Sequence, residues 1–431
     1  MKKTFARAAF AAALLCTTAG ATLLAAPHAA YAADEPKVSR DVGKALQAAV
    51  EAAQKKDFPT ALANIKTAQA VADKTAFDDY KINEILAYIA INTQDYATAD
   101  TAYEAMADSP AMPADAAKQT LHNAMLLASQ EKHWPKVIAY GSRLDALKGM
   151  DEKSYVVLAQ AYYMQNDMTN AQTAAQKSID LAKAAGHAPE EAALQIVMSA
   201  DAKANNQAGA VQTLEQLAVN YKAPDDWAKL IDMALSTPRI QELDALYLYR
   251  LRFLSGATAT GEDYSIAAGI ALKIGYPSEA ERDLDKGISS GVLSSKGRTA
   301  GLLGQARSGA RADERSLTSI AAAAERAKSG EQAVKLAEDY WGYGRYADAV
   351  TAAKQGIAKG YAKDPGEGQF ILGIALVAEG KYDDGRAALA KVDGSEARAK
   401  AAHLWDLYAQ SKTVQAPATA PAPAPAPAKT Q

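Results

Sequence analysis

The sequence predicts an all-α chain of stacked antiparallel helix pairs. Three observations predict it: a short turn-plus-helix pattern recurs at near-regular spacing, apolar positions inside each copy follow helical intervals, and no stretch shows sustained alternation of β-branched residues. The recurring starts are "KDFPTAL", "QDYATAD", "KHWPKVI", "NDMTNAQ", "NNQAGAV", "IGYPSEA", "GRYADAV" and "GKYDDGR". Their third residues are Phe58, Tyr96, Trp134, Met168, Gln207, Tyr276, Tyr346 and Tyr382, separated by 38, 38, 34, 39, 69, 70 and 36 positions. The two wide gaps each span about two periods, so degenerate copies are expected near Thr237 and near Gly309, about ten copies in all.

Residues 1–32 read as a signal peptide. Lys2, Lys3 and Arg7 precede the apolar run "AAFAAALLC", and Ala30 and Ala32 form an A-x-A site with cleavage expected after Ala32. Cys16 is a poor lipoprotein cysteine, since Leu15 precedes it inside the apolar run; an uncleaved anchor is the alternative. The mature chain then holds no cysteine, and 44 Lys+Arg face 50 acidic residues, a charge of about −6. Its core must stabilise it without disulfides, and its charge argues against nucleic acid or an anionic membrane surface as main partner. With no later span long enough to cross a bilayer, the expectation is a periplasmic protein of a Gram-negative bacterium.

Each copy reads as two helices. In the fourth, "SYVVLAQAYYMQ" places Val157, Leu158, Ala161 and Tyr162 on one face before the turn, and "TNAQTAAQKSIDLAKAA" follows it. Residues 33–236 form a first set of repeats, 237–261 a degenerate copy and possible hinge, and 262–394 a second set. Residues 395–412 read as a capping helix, which a solenoid end needs. The Ala/Pro-rich stretch 413–431 has no apolar face to bury and reads as a disordered, PPII-like tail.

With these residues in place, the chain resembles the tetratricopeptide-repeat family. The fourth copy carries Leu158, Ala159, Tyr162, Met168 and Ala171 at that family's signature positions, the ninth Leu336, Ala337, Tyr340, Tyr346 and Ala349. The second carries Leu86, Ala87, Tyr96, Ala99 and Tyr103, the tenth Leu372, Gly373, Tyr382 and Gly385; Phe58 and Ala61 hold the matching places in the first. Departures are the usual Ala for Gly in the first helix, the missing closing Pro and spacings above 34. The middle of the chain, from Asp225 to Ile288, is also similar to secreted proteobacterial repeat proteins of unassigned activity. The resemblance implies a right-handed superhelix whose first helices line a concave groove where ligands lie. Carried over residue by residue, it implies groove positions at Glu84, Tyr88, Asn92, His122, Gln130, Gln160 and Tyr163. The family's chaperone-tail clamp is not built, because Tyr88, Leu126 and Gln160 stand where it needs asparagine. At the signature positions, Tyr346 is expected to wedge between two helices and Ala349 to let them approach.

Little else points to chemistry. His122, His133, His187 and His403 sit in separate copies without ligand spacing, so no metal site is expected. Glu190 and Glu191 near His187 read as first-turn acids of a helix, and "GRTAGLLGQARSG" lacks the Gly-Lys-Ser/Thr ending of a phosphate loop. "YLYRLRF" reads as a buried helix with two snorkelling arginines, and Asp225–Asp226 and Asp383–Asp384 as helix caps. No nucleophile–base pair can be assembled, and no cofactor is expected. The functional expectation is a non-enzymatic envelope scaffold that binds a protein or peptide on its concave face. The alternative is a glycan-handling accessory protein in polysaccharide export or peptidoglycan synthesis, with aromatic faces stacking on sugars.

Overall fold

A residue in left-handed conformation stands two positions before nearly every predicted second helix, and that residue reverses the chain. Lys56, Gln94, Lys132, Asn166, Asn205, Gly344 and Gly380 all have φ between 57° and 78° where the bounds of each turn demand it. The computed structural model describes residues 37–360 and 364–414. The expected signal peptide (1–32) and the Ala/Pro-rich stretch from residue 415 lie outside the described residues. Among the described residues are twenty helices.

The chain divides into two compact units, at Lys203/Ala204. In the first, the helix pairs are α1 (Arg40–Gln54) with α2 (Phe58–Gln69), α3 (Ala76–Asn92) with α4 (Tyr96–Ala107), α5 (Ala117–Gln130) with α6 (Trp134–Ala146), and α7 (Glu152–Met164) with α8 (Met168–Ala185). Helix α9 (Glu191–Lys203) closes this unit against α7 and α8. Turns of three residues between partners enforce antiparallel packing. First helices also pack side by side, α1 on α3, α5 on α7 and α7 on α9.

The second helices begin where the sequence pattern places them. Phe58, Tyr96, Trp134 and Met168 are their first residues, and the residue before three of them is the N-cap: Asp57, Asp95 and Asp167 accept the amides of Thr60, Thr98 and Asn170 at 3.2, 3.2 and 3.1 Å. Three positions on, Ala61, Ala99 and Ala171 are fully buried, as is Ala349 in the second unit, so the two helices of a copy meet across a bare methyl group.

The second unit holds α10 (Gln207–Tyr221), α11 (Pro224–Leu235), α12 (Glu242–Ser255), α13 (Gly261–Ile274), α14 (Pro277–Ser289) and α15 (Arg298–Arg326). It continues through α16 (Glu331–Gly342), α17 (Tyr346–Lys359), α18 (Pro365–Ala378), α19 (Tyr382–Leu389) and α20 (Glu396–Thr413). Four expectations change here. The possible hinge at 237–261 contains α12, buried on every side from Asp244 to Arg252, and the division of the chain falls earlier. The degenerate copy near Gly309 is not a helix pair: α15 runs unbroken for 29 residues, because no residue between Gly297 and Gly344 adopts positive φ. Gly309 serves packing instead, since a Cβ there would lie 2.7 Å from Pro277. The expected cap, α20, is internal. It packs on α10, α11, α12, α18 and α19, with Leu404, Trp405, Tyr408 and Ala409 buried.

The fourth change concerns Tyr346. It does wedge between partners, 4.8 Å from the Trp341 ring, but it is half-buried, and Trp341 is the enclosed member of the pair. Tyr346→Ala should therefore destabilise by about 1–2 kcal/mol rather than the 3 or more of a fully enclosed aromatic. Urea unfolding measures this; a cost above about 3 kcal/mol would restore the full wedge.

Candidate functional site

On α3, Glu84, Tyr88 and Asn92 recur every four residues and share one stripe about 12 Å long. Tyr88 is 48% exposed although α3 is otherwise rich in buried apolar residues. Glu84 is paired with Lys81 at 2.7 Å, and the Asn92 amide donates to the Tyr88 carbonyl at 2.8 Å. The stripe thus presents a phenol flanked by a neutralised carboxylate and an amide turned onto its own helix.

The α5 and α7 residues behave differently from one another. His122 lies half-buried, with Nδ1 3.2 Å from the Ser154 hydroxyl at the start of α7, so it ties two first helices together rather than standing free. Gln130 is the exposed last residue of α5, about 12 Å along the helix from His122. Gln160 and Tyr163 are half-buried on α7. Next to them Met164 is 53% exposed, a large apolar residue that sequence reading passed over. Its position four residues after Gln160, in the stripe register of Tyr88 on α3, is the signal that could have found it.

A second assembly competes for attention in the second unit and is closed to solvent. Arg250 of α12 donates through Nε and Nη2 to both Glu279 oxygens at 2.8 and 2.7 Å, and through Nη1 to Glu338 at 2.5 Å. The Tyr247 hydroxyl donates to the other Glu338 oxygen at 2.6 Å. The arginine, placed 5.2 Å from the ring centres of Tyr247 and Trp341, is walled in by those rings, with Phe370 stacked on Tyr247 at 3.9 Å. Nearby, Arg252 is equally buried and pairs with Asp232 and Asp263. Both arginines were expected to snorkel; carboxylates from α11, α13, α14 and α16 let them stay inside. With side chains at 1% exposure or less, the Arg250 cluster joins three helices and offers no opening to a ligand.

Its surroundings make the unit pH-sensitive. Burial pushes Asp283 up to about 7, against the opposing charge of Arg282 at 3.6 Å. Burial, then the charges of Asp313 and Glu338, push Asp339 up to about 7 as well, and burial also raises Asp313 and Glu338. The hydrogen bond to Glu215 raises His403. Acids raised in the fold bind protons that the unfolded chain, with ordinary carboxylates, does not yet bind. Stability therefore grows as pH falls from about 8 to about 5, and the His403 pair adds in the same direction. In the first unit, hydrogen bonds from Thr60, Thr98 and Lys177 hold Asp57, Asp95 and Asp145 down, so their contribution is lost only below about pH 4. Tryptophan fluorescence reads mainly the second unit, which holds Trp227, Trp341 and Trp405, and its Tm should be higher at about pH 5 than at about pH 8. An equal or lower Tm would contradict the assignment.

Asp225 and Asp226 lie in the first turn of α11 and Asp383 and Asp384 in that of α19, but none is an N-cap side chain. His187 pairs with Glu152 of α7 at 3.2 Å, while Glu191 occupies the first turn of α9. Among the described residues, no group of three or more His, Cys, Asp or Glu is placed to hold a metal ion.

No protein-family model and no curated protein matches the chain. Solved structures similar to it include a tetratricopeptide repeat protein from Parabacteroides merdae, 14% identical, with a TM-score of 0.32 over 62% of this chain and 100% of that one. Naa15/Naa10 bound to HypK-THB is 12% identical, TM-score 0.28, over 82% of this chain and 64% of that one. The APC/C hetero-tetramer Cut9–Hcn1 is 12% identical, TM-score 0.23, over 85% and 66%. Superpositions this loose carry no argument; the helix-pair architecture rests on the packing described above.

Proposed function

We propose that the chain is an exported, non-catalytic scaffold of a Gram-negative cell envelope that holds a protein or peptide segment along the first helices of residues 37–203. The observation that carries this reading is the exposure of Tyr88 and Met164, two large side chains on first helices whose buried sides are filled. Solvent-facing aromatic and thioether groups serve as anchors when a partner desolvates them. The amides of Gln130 and Gln160 supply donors and acceptors that can pair with a peptide backbone. The only carboxylate among the seven groove residues, Glu84, is neutralised by Lys81, which suits an uncharged segment. Export is supported by the cationic start, apolar run and A-x-A site of residues 1–32. No helix among the described residues is long and apolar enough to cross a membrane.

Tyr88→Ala combined with Met164→Ala should weaken partner binding about 1,000-fold, two anchors at about 2 kcal/mol each, with far-UV circular dichroism unchanged. Undiminished binding by the double variant would remove the groove assignment.

A further inference from the structure

Sulfur chemistry among the described residues rests on methionine alone, since they contain no cysteine. Met1 lies outside them, and of the other methionines only Met164 of α7 and Met233 of α11 are exposed, at 53% and 49%. Met106 and Met125 are buried, at 4% and 0%, while Met112, Met150, Met168 and Met198 are half-buried. Exposure decides which thioether an oxidant in solution reaches first.

The two exposed methionines differ in setting. Met233 stands among charges: Asp232 beside it pairs with Arg252, and Lys229 one turn back pairs with Asp226. Met164 follows the half-buried Tyr163 and stands one turn from Gln160, on the stripe where a partner would cover it. An anchor there acts through its apolar surface, which is the property that oxidation removes.

We propose that Met164 is a peroxide-sensitive modification site, and that its conversion to the sulfoxide releases what the first helices hold. The sulfur lone pair attacks one oxygen of hydrogen peroxide, and the O–O bond breaks. The oxygen joined to sulfur gives up its hydrogen to the departing hydroxide, which leaves as water. Sulfur loses two electrons and the peroxide gains them. The product carries a polar acceptor oxygen in place of an apolar group. Water satisfies that oxygen while the groove is empty, so the fold is not disturbed. Covered by a partner's apolar surface, the same oxygen loses its hydrogen bonds and binding weakens. The release rests on the groove reading of residues 37–203; the selectivity for Met164 does not.

The test takes the purified full chain with a photo-crosslinking amino acid at position 88. The chain is treated with graded hydrogen peroxide, freed of oxidant, and then illuminated with an envelope extract from its own cells. Peptide mass mapping should find Met164 and Met233 oxidised about tenfold or more faster than Met106 and Met125, with Tm unchanged at that stage. Adduct formation should fall about tenfold as Met164 converts, and return after methionine sulfoxide reductases A and B are added. Met233→Leu should show the same fall; Met164→Leu, whatever its starting level, should show none. Met164 reacting no faster than Met125 would overturn the modification site. Capture unchanged after full conversion of Met164, or lost equally in Met164→Leu, would overturn its control of the groove. No adduct from the untreated chain would overturn the groove reading and the release with it, while the mass map decides the modification site by itself.

Discussion

Replacing Arg250 with alanine should destabilise the second unit by about 3–5 kcal/mol at neutral pH. Among the described residues the guanidinium is the one cation hydrogen-bonded to Glu279 and Glu338, inside a cluster of near-zero exposure, and it satisfies three of their oxygens. Deleting it leaves two carboxylates in a low-dielectric pocket, with the Tyr247 hydroxyl donating to one and the more distant, half-exposed Arg282 at 3.7 Å from the other. Part of the cost can be relieved by proton uptake, because burial already raises Glu338. The loss should therefore shrink on acidification to about pH 5, which a merely steric defect would not do. Urea unfolding followed by tryptophan fluorescence at both pH values measures it. A cost below about 1 kcal/mol at neutral pH would mean that the cluster is not a joint.

Trp405→Ala should cost a comparable 3–5 kcal/mol, roughly a 10 °C fall in Tm for a unit of this size. Trp405 is fully buried, edge-on to Trp341 at 6.0 Å and to Tyr408 at 6.2 Å, and its indole N–H donates to the Tyr247 carbonyl at 2.9 Å. The substitution empties a large volume and removes the indole hydrogen bond from a buried helix carbonyl at once. Helix α20 is further fastened by Arg398, which donates to Asp244 at 2.7 Å and pairs with Asp364, and by the Tyr408 hydroxyl on the Leu254 carbonyl at 3.1 Å. A helix that only capped a solenoid would keep one polar side and tolerate the change. A Tm within about 2 °C of the unsubstituted chain would support the cap and contradict the internal helix.

The repeat joints were legible because they are local. Turn, N-cap and small residue fall within six positions, so "QDYATAD" alone specifies Gln94 at positive φ, Asp95 as cap, Tyr96 as first helical residue and Ala99 as contact point. Partner choice over long range is not written that way. Arg250 meets Glu338 across 88 positions, and Trp405 meets Tyr247 across 158, so neither the buried arginines nor the internal place of α20 shows in any window of sequence. The failure at Gly309 has another cause. A glycine beside helix formers fits a turn or a close helix contact equally well, and only the nearness of Pro277 decides. Groove positions were readable as register but not as exposure: His122 proved to be tied to Ser154, and Met164 stood out only once its exposure was known.

The central claim is that partners are held on the first helices of residues 37–203. A photo-crosslinking amino acid placed at position 88, 163 or 181 in the full chain, in its own cells, tests it most directly. Leu181 lies on the second helix α8 and is 40% exposed, close to the exposure of Tyr88, so it controls for stickiness. The account predicts the same protein adduct from positions 88 and 163 and none from 181. An adduct from 181 alone, or equally from all three, would contradict it.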